Sequence, residues 1–132
     1  MSQRTNISDG VKWEGIFGYS RAVRVGNTIE VSGTTAIGEN GEVVGKNDVY
    51  RQTQFILEKI SAALNKAGGS MADVVRTRLF VTDASFADQI GRAHQECFAD
   101  IRPACTLVEV SALIEPELLV EIEATAIVSE PD

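Results

Sequence analysis

The closing quarter of the chain, Arg102 to Val128 (RPACTLVEVSALIEPELLVEIEATAIV), constrains the fold more than any other stretch. It reads as two strands joined by a loop. In the first, Thr106, Val108 and Val110 alternate with Cys105, Leu107 and Glu109. In the second, Val120, Ile122, Ala124 and Ala126 alternate with Glu121, Glu123 and Thr125. A period of two sends successive side chains to opposite faces of a sheet. One face can therefore be buried under helices while the other carries carboxylates. Such a face is either solvated or turned into a pocket or a subunit interface.

The upstream chain supplies the partners of these strands. Tyr19–Val25 and Thr28–Thr34 read as a hairpin around the turn pair Gly26-Asn27, with Ile29 and Val31 on one face and Glu30 and Ser32 on the other. Residues 1–13 are polar and read as irregular, and Ile37–Lys46, with three glycines, reads as a loop with room for a second small hairpin. Asn47 or Asp48 caps a helix running to about Ala67. Its apolar stripe is Val49, Thr53, Ile56, Ile60, Ala63, Leu64 and Ala67, and Gly68-Gly69 stops it. Val74–Val81 follows as a strand with Val75, Thr77, Leu79 and Val81 on one side and Val74, Arg76, Arg78 and Phe80 on the other. Asp83 or Ser85 caps a second helix, from about Phe86 to Ile101, with a stripe of Phe86, Ile90, Ala93, Cys97 and Ile101; Arg102-Pro103 ends it.

The resulting order, β-β-α-β-α-β-β, is an α+β architecture in a single domain, 1–132, with both helices on one sheet face. The uncovered face would carry Arg76, Arg78, Glu109, Glu121 and Glu123 by parity. A mixed apolar and charged sheet face of that size points to contact between subunits.

Composition narrows the function. No apolar run approaches the ~20 residues of a membrane span, and the start MSQRTNISDG lacks the apolar segment of a signal peptide, so a cytoplasmic protein without a membrane partner is expected. The two cysteines, Cys97 and Cys105, lack zinc-site spacing and are expected as reduced thiols. A net charge of −7 disfavours nucleic acid as a partner, because phosphate binding needs a basic patch.

Several segments together resemble the Rid family, also called the reactive intermediate deaminase or YjgF/YER057c/UK114 family. They are GYSRAV at Gly18–Val23, VSG at Val31–Gly33, DVVRTRLFVTD at Asp73–Asp83, RPACTLVEV at Arg102–Val110 and VEIEA at Val120–Ala124. The resemblance implies a chorismate-mutase-like fold and a homotrimer around a central barrel. Small-molecule pockets would lie between subunits, and no cofactor or metal would be needed. It implies hydrolysis of enamines and imines to 2-oxo acids and ammonia, with Glu121 handling water and Tyr19, Ser32 and Gly33 lining the pocket. The family's carboxylate-binding Arg falls on Cys105 and its Cys on Leu107, so the chain is similar to an arginine-lacking branch. A thiol cannot grip a carboxylate as the planar guanidinium fork does.

The residues leave alternatives open. Arg76, Arg78 and Arg102 are candidates to pair with Glu109, Glu121 or Glu123 across subunits or to supply the missing cation, with Arg78 and Arg102 placed in the substrate-binding set. Glu123 reads as structural, and His94, the only His, as a capping or surface residue. The function is expected to be a deaminase-type hydrolase, with a non-catalytic trimeric small-molecule binder or chaperone-like protein as the alternative. Endoribonuclease is a weaker reading, because no basic, aromatic-interleaved stretch is present.

Overall fold

A computed structural model describes residues 3–129. Six strands form one mixed sheet in the order β1-β2-β3-β6-β4-β5. The strands are β1 (Arg4–Ile7), β2 (Ala22–Val25), β3 (Thr28–Thr34), β4 (Val74–Val81), β5 (Ala104–Glu109) and β6 (Val120–Ile127). The helices are α1 (Lys12–Phe17), α2 (Val49–Lys66) and α3 (Ala87–Phe98). All neighbouring strands are antiparallel except β4 and β5, which run parallel and are connected through α3. The central strand is β6, between β3 and β4.

Local chemistry explains the main elements. The β2–β3 hairpin turns at Gly26, whose φ of 61° lies in the left-handed region that glycine enters without steric cost. Asp48 caps α2 by accepting from the backbone N–H of Arg51 at 3.0 Å. The helix ends in a Schellman motif, in which Gly68 (φ 86°) donates to the Asn65 carbonyl and Gly69 to that of Leu64. All seven residues of the α2 stripe are buried. They pack on Ile29 and Val31 of β3, Leu79 and Val81 of β4, and Val120, Ile122, Ala124 and Ala126 of β6. The fully buried Gln52 of α2 donates from its amide to Gly45 O (3.2 Å) and Glu117 O (3.0 Å) and accepts from Leu119 N–H (2.9 Å). One side chain thus satisfies the backbone of two loops that would otherwise bury unpaired polar groups.

Several expectations change. Residues 1–13, read as irregular, contain β1 and the start of α1. The first hairpin strand begins at Ala22 rather than Tyr19, and the second helix stops at Phe98, with a separate 3-10 turn at Ala84–Phe86 before it. An irregularity in the β4–β6 register between Val74 and Arg76 reverses the parity at the start of β4, so Val74 is buried and Val75 exposed. Glu109 does not share the open face with Glu121. It is in register with the buried Val81, on the helix side, and accepts from Ala84 N–H at 2.8 Å. His94 is neither a cap nor a surface residue: it is half-buried, 2.9 Å from Thr77 Oγ1 and tilted against Phe98, and burial lowers its pKa.

Arg76, Arg78, Phe80, Thr106, Glu121, Glu123 and Thr125 occupy the open face, as the strand registers require. Two of its arginines are engaged within the chain. Arg76 donates to Thr106 Oγ1 at 2.7 Å, and Arg78 pairs with Glu123 at 3.5 Å. The structural reading of Glu123 agrees with that pair.

Candidate functional site

The site grows from a break in strand pairing. Between β3 and β6, Val31 pairs with Ala124 and Thr34 with Ile122, so β3 carries one extra residue across Ser32-Gly33. Such a bulge bends the strand and re-aims side chains. The corner is tied to the preceding GYSR segment. Ser32 Oγ donates to Ser20 O (2.6 Å), Ser32 N–H to Arg21 O (3.0 Å), and Arg21 Nη2 to Gly33 O (2.7 Å).

Glu121, at the start of β6, closes against this corner. A Cβ added at Gly33 would sit 2.0 Å from Glu121 Oε2, so only glycine lets the carboxylate rest there. The reason is close approach; the backbone at this position is not left-handed. Burial raises the pKa of Glu121; the Arg21 cation pulls it down and the Glu123 carboxylate pushes it up, and the net direction is upward. Beside it, Tyr19 faces the Arg21 guanidinium, whose Cζ lies 5.8 Å from the ring centroid. Burial likewise pushes the Tyr19 phenol up.

Two cations here had no assigned role in the sequence. Arg21, within GYSRAV, is only 6% exposed, and its Nε is buried without a hydrogen-bond partner. Lys59 projects from α2 into the same depression and donates to Thr35 O (3.3 Å) and Ile37 O (3.0 Å). Burial lowers its pKa, Asp9 raises it and Arg21 lowers it further. Arg21 carries no pattern that separates it from a surface strand residue. Lys59 follows the apolar Ile56 on α2 as an ordinary helix-edge lysine would. The depression is walled by segment 7–13, loop 37–44 and the exposed edge of α2.

Of the eight residues proposed from sequence, Tyr19, Ser32, Gly33 and Glu121 line this depression together. Cys105 and Leu107 lie on β5, at the far edge of the sheet, in register with Thr77 and Leu79 and therefore on the helix side. Cys105 is exposed there and Leu107 packs against the core. Arg78 is committed to Glu123. Arg102 follows α3 with φ 56° and lines a separate small cavity with His94, Gln95, Phe98, Ala99 and Pro103. Within one chain, neither Arg78 nor Arg102 reaches the Glu121 depression as a lining residue. Among the described residues, no cluster of three or more His, Cys, Asp or Glu side chains is arranged to hold a metal ion, and no helix is long and apolar enough to cross a membrane.

A mixed sheet with two long helices on one face, and a carboxylate-bearing depression at a strand bulge, define a small α+β domain of chorismate-mutase-like fold. The family model described as Endoribonuclease L-PSP matches residues 12–128, and the chain belongs to that family, the YjgF/YER057c/UK114 or Rid family. The chain is similar to the crystal structure of Rv2704 from Mycobacterium tuberculosis, a member of the YjgF/YER057c/UK114 family. That match has a TM-score of 0.87 and 48% identity, covering 96% of this chain and 100% of the other. It is 35% identical to the uncharacterized protein SCO2049 of Streptomyces coelicolor over 120 residues, 91% of this chain and 89% of the relative. It is 36% identical to a protein named 3-aminoacrylate deaminase RutC from Acinetobacter baylyi over 108 residues, 82% of this chain and 85% of the relative.

Proposed function

We propose that this protein is a deaminase-type hydrolase acting on a small imine or enamine, with Glu121 handling water. The observation that carries this reading is the half-buried Glu121 carboxyl, seated on Gly33 with its pKa raised. A carboxyl whose pKa is raised is the better proton acceptor and donor for such a step. Glu121 takes a proton from water as the oxygen adds to the imine carbon. It passes that proton to the nitrogen, giving a carbinolamine, and then moves the hydroxyl proton to the nitrogen as the C–N bond breaks, leaving a carbonyl and ammonia. The likeness to a relative named 3-aminoacrylate deaminase supports the reaction class.

Cys105 in the position of the family's arginine is the observation that favours the alternative, a small-molecule binder without turnover. An ammonia-release assay separates the two, using a panel of enamines and of 2-imino acids generated in situ by an amino-acid oxidase. Acceleration on at least one compound, abolished in Glu121→Gln, is expected. Loss of one bidentate contact weakens a desolvated site by about 2–4 kcal/mol, so, unless another cation grips the carboxylate, 2-aminoacrylate-type imines should turn over ~30- to 1000-fold more slowly than in an arginine-bearing relative. No acceleration across the panel leaves the binder.

The working unit in this reading is a homotrimer with the pocket completed between subunits. Phe17, Ile16, Val75, Val108 and Ile114 are exposed apolar side chains, and β5 has a sheet neighbour on one side only. A neighbouring copy on the β5 edge would bring the exposed Cys105 to the subunit contact. Native mass spectrometry at micromolar concentration should show three chains; a stable monomer would remove the interface pocket.

A further inference from the structure

We propose that Arg21, assisted by Lys59, forms an anion subsite beside Glu121, and that the ligand of this pocket carries a carboxylate held there rather than from the position of Cys105. The inference deepens the proposed function, on whose pocket it rests. Arg21 is more than nine-tenths buried, yet among the described residues no carboxylate oxygen lies within 4.0 Å of its guanidinium. Its bond from Nη2 to Gly33 O fixes the fork against the bulge, and its Nε is left without an acceptor. A buried N–H left without an acceptor on a permanently charged group is costly, and a planar fork is suited to a carboxylate. Lys59 uses two of its three donors on Thr35 O and Ile37 O, leaving one for the depression. Asp9 shares the depression, with its carboxylate accepting from Val11 N–H at 3.3 Å, and burial raises the pKa of Glu121. Arg21 and Lys59 thus place two cations on the wall of the depression that Glu121 also lines. At the Arg21 corner the donor left without an acceptor calls for an oxygen-bearing anionic group of a ligand.

The subsite can be tested without turnover. Pyruvate, a small 2-oxo carboxylate, and pyruvamide, its neutral counterpart, are titrated into the intact oligomer while the Arg21 Nε–H resonance is followed by NMR. Pyruvate should shift that signal and the Gly33 amide in a saturable way, whereas pyruvamide should not. Arg21→Gln and Lys59→Met should each weaken pyruvate binding by at least about tenfold, with Arg92→Gln, an exposed α3 arginine, as the unaffected control. Arg21→Gln alters a buried position, so the signal in the unmodified protein and the Lys59→Met result decide if that variant fails to fold. Pyruvate shifts confined to Arg102 or Cys105, no pyruvate shift at Arg21, or equal response to the neutral amide overturns the assignment. Turnover failing while pyruvate binds at Arg21 would reject the hydrolase reading and leave the anion subsite standing.

Discussion

Glu121→Gln should lower turnover of any true substrate by ~100-fold or more, because it keeps the side chain's shape and removes the proton acceptor. The variant's assembly state should match the parent's. Burial raises the folded-state pKa of Glu121, so its contribution to stability is fully present below the unfolded value and is lost as pH rises through the folded value. A neutral amide escapes that loss, and the variant's melting temperature at neutral pH should equal the parent's or slightly exceed it. In the parent, the acid limb of the rate profile should inflect above the ordinary glutamate range. Glu123 pushes the Glu121 carboxyl up, so Glu123→Gln should move that limb to lower pH. A Glu121→Gln protein that dissociates or melts much earlier would identify Glu121 as a structural contact. Turnover at the parent rate would remove it from the chemistry.

Gly33→Ala should damage activity nearly as much while leaving the fold in place. The added methyl would lie 2.0 Å from Glu121 Oε2 and 3.0 Å from its Cδ, so the carboxylate has to swing away. Misplacing a reacting group by ~1 Å costs on the order of 100-fold in rate. The backbone at Gly33 is not left-handed and the obstacle is the far end of a flexible side chain, so stability should change by less than ~1 kcal/mol. Combining Gly33→Ala with Glu121→Gln should cost little beyond Glu121→Gln alone, because both act on one group. Additive losses in the double variant would separate the bulge from the carboxylate.

The parts of the fold legible in the sequence are those whose burial follows a regular period. The α2 stripe and the alternation of β6 bury the predicted residues, and Gly68-Gly69 closes α2 as expected. The elements that escaped reading bury little or break their period. No residue of β1 reaches the core class and α1 buries none, so neither leaves a hydrophobic pattern. The register break at Val74 defeats parity, and parity within β5 cannot say which sheet face Glu109 takes until β5 is set parallel to β4. The site divides the same way. Tyr19, Ser32, Gly33 and Glu121 were legible through motifs, and the structure gathers them. Arg21 and Lys59 were not legible, because what distinguishes them is tertiary: one buried donor left unpaired, one amine drawn in toward a loop.

The strand order has a consequence for synthesis. β6, the strand farthest along the chain, fills the gap between β3 and β4, and its residues Val120, Ile122, Ala124 and Ala126 lie at the heart of the core. Until that segment leaves the ribosome, the nascent chain holds a β1–β3 piece and a β4–β5 piece, each with a bare inner rim and an unsealed apolar face. Long-range closure of this kind comes late and leaves unpaired rims exposed to other chains. Chaperone engagement should therefore concentrate on chains stalled before Leu119, and a stop codon there should yield an aggregating product rather than a smaller folded one.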